Sequence, residues 1–519
     1  MTVLNLSVPP TILLTGFFLF ALQASNLFWR SRQTQRLPYP PGPRPVPFLG
    51  NIFNITKNAT WLTYSRWANK YGDVLHMQVL SRHVVILNSA AAAVDLLEKR
   101  SRLYSDRPEL TMLQLMGWGF NMTFMHYDDS RWRKYRRMLH QGFGPHGSIQ
   151  FRPIQERQVH RLLCNLLASP QEFGSHLRTL AGSINLHAMY GQDVVEKNSY
   201  LVRLASHAVD TLSEEVFFSA QVLFALPWLK YVPEWFPGGG FKTLARKNRK
   251  VMETLQKDPI ELVKKDMSKG IVNPCWTTEL LEQMQTEPSS GLIEDDIKDV
   301  TATAFAGGID TNESAIRTFL LAMVLYPDVQ KRAQAEIALV VGSARLPNAD
   351  DQPSLPYLSA LCREVQRWHP PVPLGVSHAV SNDDVYRGYF IPKGAAVLTN
   401  IWAMSRDPKM YPDPDVFKPE RFLTPDGELI EDSTFLSFGF GRRICPGRLM
   451  AESTIFLVVS NILSVFDIGK AKDERGVEVD VLEKYTTNGL MSQPIPFKCS
   501  IETRSAEAKA LVLATRASH

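Results

Sequence analysis

The sequence predicts a mainly α-helical protein with a small β region, preceded by one transmembrane helix. Three observations carry that expectation. Apolar residues recur with helical period over Ala91–Arg100, Arg131–Leu139, Val159–Leu167, Ile297–Leu325 and Leu358–Trp368. Strand-like runs are fewer and short, at Val74–Val79, Val84–Leu87 and Ala395–Asn400. The segment Thr11–Trp29 carries no charge at all.

As a helix, Thr11–Trp29 spans about 28 Å, close to a bilayer core of about 30 Å. No Lys or Arg precedes it, and Arg30, Arg32 and Arg36 follow at once. The positive-inside rule then keeps the bulk of the protein in the cytoplasm. A cleaved signal peptide would want a basic start, which residues 1–10 lack, so residues 1–29 are expected to be a retained anchor. Leu37–Pro47 is proline-rich and therefore extended and stiff, which makes 30–50 a basic and proline-rich hinge. No later linker is comparable, so 51–503 is expected to be one large domain and 504–519 a loose tail.

Composition is that of an ordinary globular protein, with 45% hydrophobic and 21% charged residues. A net charge of +5 is too mild to argue for nucleic acid. The cysteines at 164, 275, 362, 445 and 499 lack paired spacing, which excludes a disulfide framework and a zinc pattern and favours a reducing compartment. No C-x-x-C-H is present, so no cofactor attached through cysteine thioethers is expected.

Cys445 lies in Phe438-Gly-Phe-Gly-Arg-Arg443-Ile-Cys445-Pro-Gly447, which reads F-x-x-G-x-R-x-C-x-G. A thiolate ligand pushes electron density toward the haem iron and favours O–O cleavage. It needs a tight loop whose backbone N–H groups point at the sulfur. Gly441 and Gly447 would permit such a backbone, and Arg443 would turn its guanidinium to a haem propionate. A single cysteine is ordinarily a small buried hydrophobe. The fixed positions around this one point elsewhere.

Ala304-Phe-Ala-Gly307-Gly308-Ile-Asp310-Thr311 sits within a long helical pattern. Each glycine costs about 1 kcal/mol there relative to alanine. A close helix contact would explain the pair. A loosened helix would also explain it, with carbonyls freed and a groove opened beside a haem. In that groove Thr311 would hydrogen-bond dioxygen and Asp310 would relay protons.

These segments resemble the cytochrome P-450 superfamily, the haem-thiolate monooxygenases, over roughly Leu37 to Phe497. The resemblance implies haem b with Cys445 as axial iron ligand, Phe438 and Arg443 on the cofactor, and Asp310 and Thr311 as the catalytic acid–alcohol pair. It further implies that Glu364, Arg367 and Arg421 form a buried structural charge network, from E-x-x-R at 364–367 and Pro-Glu-Arg-Phe at 419–422. In the W-x-x-x-R pattern, Trp132 and Arg136 would reach one propionate, and His378 would touch the other. The remaining cations of Arg131–Arg137 would face outward, where an acidic electron donor docks. His126 has no comparable support.

The anchor and hinge resemble those of endoplasmic-reticulum members. Asp384–Gly394 and Asn400–Ala403 resemble fungal members that decorate secondary metabolites. The implied activity inserts one oxygen atom from dioxygen into a small apolar substrate, a terpenoid or polyketide, with an NADPH-dependent cytochrome reductase as partner. Substrate contacts would come from the Asp106–Asp129 loop, Val209–Phe218, Phe305, Val372–Val376 and Thr486–Leu490. The alternatives are a haem-thiolate isomerase or dehydratase not needing dioxygen, and a non-enzymatic haem-binding protein. The acid–alcohol pair weighs against the first, which has no use for it.

Overall fold

The computed structural model describes residues 37–517, except 57, 194–199, 215–222, 224–225, 237, 432–435 and 488. The expected membrane helix at Thr11–Trp29 and the arginines behind it lie outside the described residues. The longer helices are α1 (Thr60–Tyr71), α2 (Ser130–Phe143), α3 (Arg152–Ala168), α4 (Phe173–Tyr190), α5 (Tyr200–Glu214) and α6 (Gly240–Ser268). They continue as α7 (Trp276–Thr286), α8 (Glu294–Leu325), α9 (Pro327–Val340), α10 (Pro356–Trp368), α11 (Arg448–Val465) and α12 (Ala506–Ala517). The strands are β1 (Val74–Val79), β2 (Arg82–Leu87), β3 (His378–Ala379), β4 (Asp384–Tyr386), β5 (Tyr389–Ile391), β6 (Ala396–Thr399), β7 (Phe466–Lys470) and β8 (Cys499–Thr503).

The sheet region is small, as the sequence implies. One four-stranded sheet runs in the order β1-β2-β6-β3, with β2 and β6 parallel and the other pairs antiparallel. Two-stranded pairs β4–β5 and β7–β8 complete it. The apolar residues of β1 and β2 pair Leu75 with Ile86 and Met77 with Val84, and this side packs under α1.

α8 runs through the middle of the helical layer and is buried almost throughout. Its start is fixed by charge: Glu294, Asp295 and Asp296 fill the first turn, and the Asp296 carboxylate accepts the Ile293 N–H at 3.1 Å. Acids there complement the positive end of the helix dipole. The start of α10 is capped from outside, because Glu336 of α9 accepts the N–H groups of Tyr357 and Leu358, both at 2.9 Å.

Three expectations need correction. First, α8 is an unbroken helix across Gly307–Gly308, not a loosened one. The Gly307 carbonyl accepts the Thr311 hydroxyl at 3.0 Å, and the Gly308 carbonyl accepts Asn312 Nδ2 at 2.8 Å, so side chains take up the carbonyl capacity instead of a gap. Second, the expected loose tail at 504–519 is, over Ala506–Ala517, a helix. α12 lies on α3, with Val512 fully buried and Ala508 one turn before it, and a buried Val is worth roughly 1.5–3 kcal/mol.

Third, the proline-rich stretch is extended but not free from Leu37 onward. The Pro38 carbonyl accepts Phe390 N–H at 2.8 Å, and the Pro41 carbonyl accepts His76 N–H at 3.0 Å. The Tyr39 ring stacks on His76 with centroids 4.5 Å apart. Gly42 passes so close to β1 that a Cβ would stand 1.9 Å from the His76 carbonyl oxygen. Among the described residues, α11 is the one helix long and apolar enough to cross a membrane, and it is a core helix.

Candidate active site

The loop before α11 closes tightly on itself: Cys445 N–H donates to the Phe438 carbonyl at 2.9 Å, and Ile444 N–H to Gly441 at 3.2 Å. Gly441 is required twice over. Its φ is +57°, and a Cβ would meet the Leu97 carbonyl oxygen at 2.1 Å. Gly447 has an ordinary φ of −85°, so its role is different: its N–H points at the Cys445 sulfur. Cys445 lies deep inside the protein yet has accessible surface, because that surface faces an internal cavity. Burial raises the thiol pKa, while the Gly447 N–H, Arg136 and Arg448 oppose the rise.

The cavity has a volume of about 350 Å³, within the range of small-molecule sites. Cys445, Phe438, Arg443, Trp132, Arg136 and His378 line it together with Asp310 and Thr311. The chain thus brings the expected cofactor and catalytic residues to one space, with the thiol on one wall and α8 among the others. Glu364, Arg367 and Arg421 do not reach it.

Arg136 of α2 donates from Nη1 to the Ile444 carbonyl at 2.6 Å, which ties that helix to the cysteine loop. Arg443 donates to the carbonyls of Ser105 (2.8 Å), Met122 (3.2 Å) and Met125 (2.8 Å). A third guanidinium went unnoticed in the sequence. Arg107 is 4% exposed, donates to the carbonyls of Thr123, Val376 and Ser377, and lines the same cavity. Its only local signal is an Arg-Pro step in a loop. Its partners are far away in the chain, so spacing could not find it.

These three cations test whether the site suits a haem. Among the described residues, no carboxylate forms an ion pair with Arg107, Arg136 or Arg443. Asp106, within electrostatic reach, instead accepts the N–H groups of Arg107 and Tyr127 and pairs with His126 Nδ1 at 3.1 Å. Burial lowers Arg443 to about 10 and holds Arg107 well below its usual value. Buried Trp132 Nε1 also lacks a partner. Buried cations without counter-charge are costly. A ligand bringing two carboxylates, as haem b does, would satisfy them.

His378 on β3 donates from Nδ1 to the Tyr104 carbonyl at 2.8 Å. Burial, with Arg107 and Arg443 nearby, holds its pKa well below the usual value, so the ring is neutral and Nε2 is an acceptor. A propionate arriving beside it would favour the imidazolium form, which can donate.

On α8, residues 304, 307, 308 and 311 face the cavity. Phe305, expected as a substrate contact, points away. One helical step turns it onto Tyr190 of α4, edge to face at 5.6 Å, and it is fully buried. Gly308 touches α4 so closely that a Cβ would stand 2.2 Å from Asn185 Oδ1, whereas a Cβ on Gly307 meets open space. Asp310 is buried, and its Oδ2 has no hydrogen-bond partner. Burial first, then the charges of Glu313 and Asp210, raise it to about 7.

Trp118, Phe124, Val209, Val372, Val376 and Leu490 give the rest of the cavity an apolar character. Each falls in a segment expected to meet substrate, although 215–218 lie outside the described residues.

The charge network is complete. Glu364 takes two hydrogen bonds from Arg367 (2.6 and 2.8 Å), one from Arg421 Nε (3.1 Å) and one from Lys418 N–H (2.7 Å). The basic run is more committed than a solvated face. Arg131 pairs with Asp129, and Lys134 with Asp296, leaving Arg133 and Arg137 turned outward.

A buried thiol facing a cationic cavity under a central helix defines a haem-thiolate protein. The cytochrome P450 family model matches residues 40–500, and the chain belongs to that family. It is 40% identical to a cytochrome P450 monooxygenase of Armillaria gallica, covering 92% of this chain and 94% of that one. It is 39% identical to cytochrome P450 monooxygenase 176 of Postia placenta (93% of each chain), and 38% to cytochrome P450 monooxygenase ple1 of Rhodocybe pseudopiperita (94% of each). The protein is a cytochrome P450 monooxygenase, an enzyme whose cofactor is haem with a cysteine ligand to iron.

Proposed function

We propose that the enzyme hydroxylates an apolar organic substrate of fungal secondary metabolism, a terpenoid or polyketide, with electrons from an NADPH-dependent cytochrome reductase. The observation that carries this reading is the shared cavity, with thiol, unneutralised guanidiniums, acid–alcohol pair and apolar walls around one space. The overall reaction balances as substrate C–H, dioxygen, NADPH and a proton giving C–OH, water and NADP+. When bound, the haem supplies the activation of dioxygen and the transfer of one oxygen atom.

The chain's own residues do the rest. Cys445 would ligate the iron, and the Gly447 N–H would temper the sulfur's charge. Arg107, Arg136, Arg443, Trp132 and His378 would hold the propionates. Phe438, whose carbonyl accepts the Cys445 N–H, closes the cysteine loop and would contact the cofactor from the cavity wall. Asp310 delivers protons and Thr311 orients them, since the Thr311 hydroxyl can turn from the Gly307 carbonyl to the cavity. Trp118, Phe124, Val209, Val372, Val376 and Leu490 exclude water and seat an apolar scaffold.

The enzyme works at the endoplasmic-reticulum membrane, anchored by Thr11–Trp29 with the catalytic domain facing the cytoplasm. Two exposed apolar segments support a membrane-facing side: Val46–Phe53, with Phe48 and Phe53, and Trp228–Phe236, with Tyr231 and Trp235. Both adjoin the core beneath α1, where Ile55 and Leu226 pack.

The test is co-expression with a cytochrome reductase, a panel of terpene and polyketide scaffolds, and mass spectrometry under isotopically labelled dioxygen. One labelled oxygen per product, dependent on NADPH, is expected. Product formed without dioxygen would mean an isomerase or dehydratase instead. Cys445→Ser is expected to abolish the carbon-monoxide spectrum of a thiolate haem, and an unchanged spectrum would remove the ligand assignment.

A further inference from the structure

Asp310 does not stand alone at its end of the cavity. Glu313 follows it by three residues on α8, so the two carboxylates share a helix face, about 5–6 Å apart at Cβ. Glu313 is 1% exposed, and both its oxygens are taken. Oε2 accepts Arg178 Nε of α4 at 2.9 Å, and Oε1 accepts Arg317 Nε at 2.7 Å. Arg317 is fixed further by the Gly174 carbonyl at 3.1 Å. Arg178 reaches solvent, with 44% of its side chain exposed. From α5, exposed Asp210 and His207 face the same group.

The cluster therefore sets three carboxylates (Asp310, Glu313 and Asp210) against two guanidiniums, and both guanidiniums bond to Glu313. The geometry points to Glu313 as a positioning residue of the oxygenation: by holding Arg178 and Arg317, it keeps Asp310 free of a cationic partner, able to take a proton from the solvent edge at Arg178 and pass it into the cavity. This rests on Asp310 being the proton carrier.

The charges agree with the geometry. Glu313 is the largest cause after burial of the raised Asp310 pKa, and Arg178 pulls the other way. A carboxyl at its ordinary value is fully ionised at neutral pH and has no proton to give. One near 7 is half protonated and can both give and regain it. The step balances: the carboxylate takes one proton from solvent, the acid gives one to the Thr311 hydroxyl or a water beside it, that group passes one of its own protons into the cavity, and the carboxylate returns.

The test follows the infrared C=O stretch of protonated Asp310 against pH in the full-length ferric holoenzyme, with Asp310→Asn assigning the band. In Glu313→Gln, Arg178 is released toward Asp310, and the midpoint is expected to fall by about 1–3 units. Arg178→Gln is expected to move it upward. Midpoints that stay put, or that move together, overturn the positioning role. Should Glu313→Gln fail to fold, Arg178→Gln at its half-exposed site decides alone, an upward shift supporting the role and no shift or a fall overturning it. Parent-like coupling of NADPH to product in Asp310→Asn removes the proton-carrier reading itself, a result distinct from either midpoint.

Discussion

Gly307 and Gly308 are neighbours that answer to different demands. Gly308 exists for α4: Asn185 leaves no room for a methyl group. Gly307 exists for the cavity, which a methyl group would enter. Gly308→Ala is therefore expected to lower stability by about 1–3 kcal/mol, as overpacking does. Gly307→Ala should hold or raise the melting temperature, since alanine is worth about 1 kcal/mol more in a helix, while weakening substrate-induced spectral shifts. Thermal unfolding and haem titration of the two variants check this.

Asp310 gives a second expectation. Its folded pKa, about 7, lies above the ordinary 3.8, so its ionisation opposes folding. The cost is absent below the unfolded value, grows as pH rises from about 4 to about 7, and is constant above. The stability advantage of Asp310→Asn should grow across that window, and denaturant titrations at pH 5 and pH 8 measure it. That Asp310, Thr311 and Cys445 belong to one site could be expected from the sequence, because each sits in a short motif, and one cavity is lined by all three. Arg107 and Arg178 were not legible there, because their partners lie far along the chain, and Glu313 was not, because Arg178 is distant and its pairing with Arg317 at i,i+4 looks like an ordinary helix pair.

Among the elements, α10 shows what a spacing alone cannot. Glu364 and Arg367 at i,i+3 read as a weak surface pair until Arg421 and the Lys418 N–H close around them. With both side chains buried, Glu364→Ala strands two guanidiniums and should cost about 3–5 kcal/mol, measurable as lost holoenzyme yield or a lower unfolding midpoint. β1 was legible to the residue because one face is buried and the apolar pattern alternates. α4 was missed for the opposite reason. It is buried on nearly every side, so no amphipathic stripe marks it. α12 has only Ala508 and Val512, one turn apart, to show which side faces inward.

At the scale of the molecule, the fold class followed from the balance of periodicities. The proposed membrane-facing side rests on residues that no periodicity marks. Trp235 is 82% exposed and Phe48 78%, far beyond what a solvated surface asks of such side chains. A chain lacking residues 1–36 is expected to retain vesicle binding through these segments. Phe48→Ser with Trp235→Ser should release it in a flotation assay, and equal flotation of the two forms would count against that surface.

The fastening of Leu37–Gly42 has a mechanical consequence. Any pull or twist transmitted from upstream of Leu37 enters the protein where the strap is stitched to β1 and β5 by the Pro38 and Pro41 carbonyls, with Tyr39 wedged against His76. β1 is continuous with β2 and β6, so the load spreads into the sheet instead of working the catalytic helices. The body is held like a blade set in a handle: strap and sheet move together, and tilting them turns the cavity as one piece.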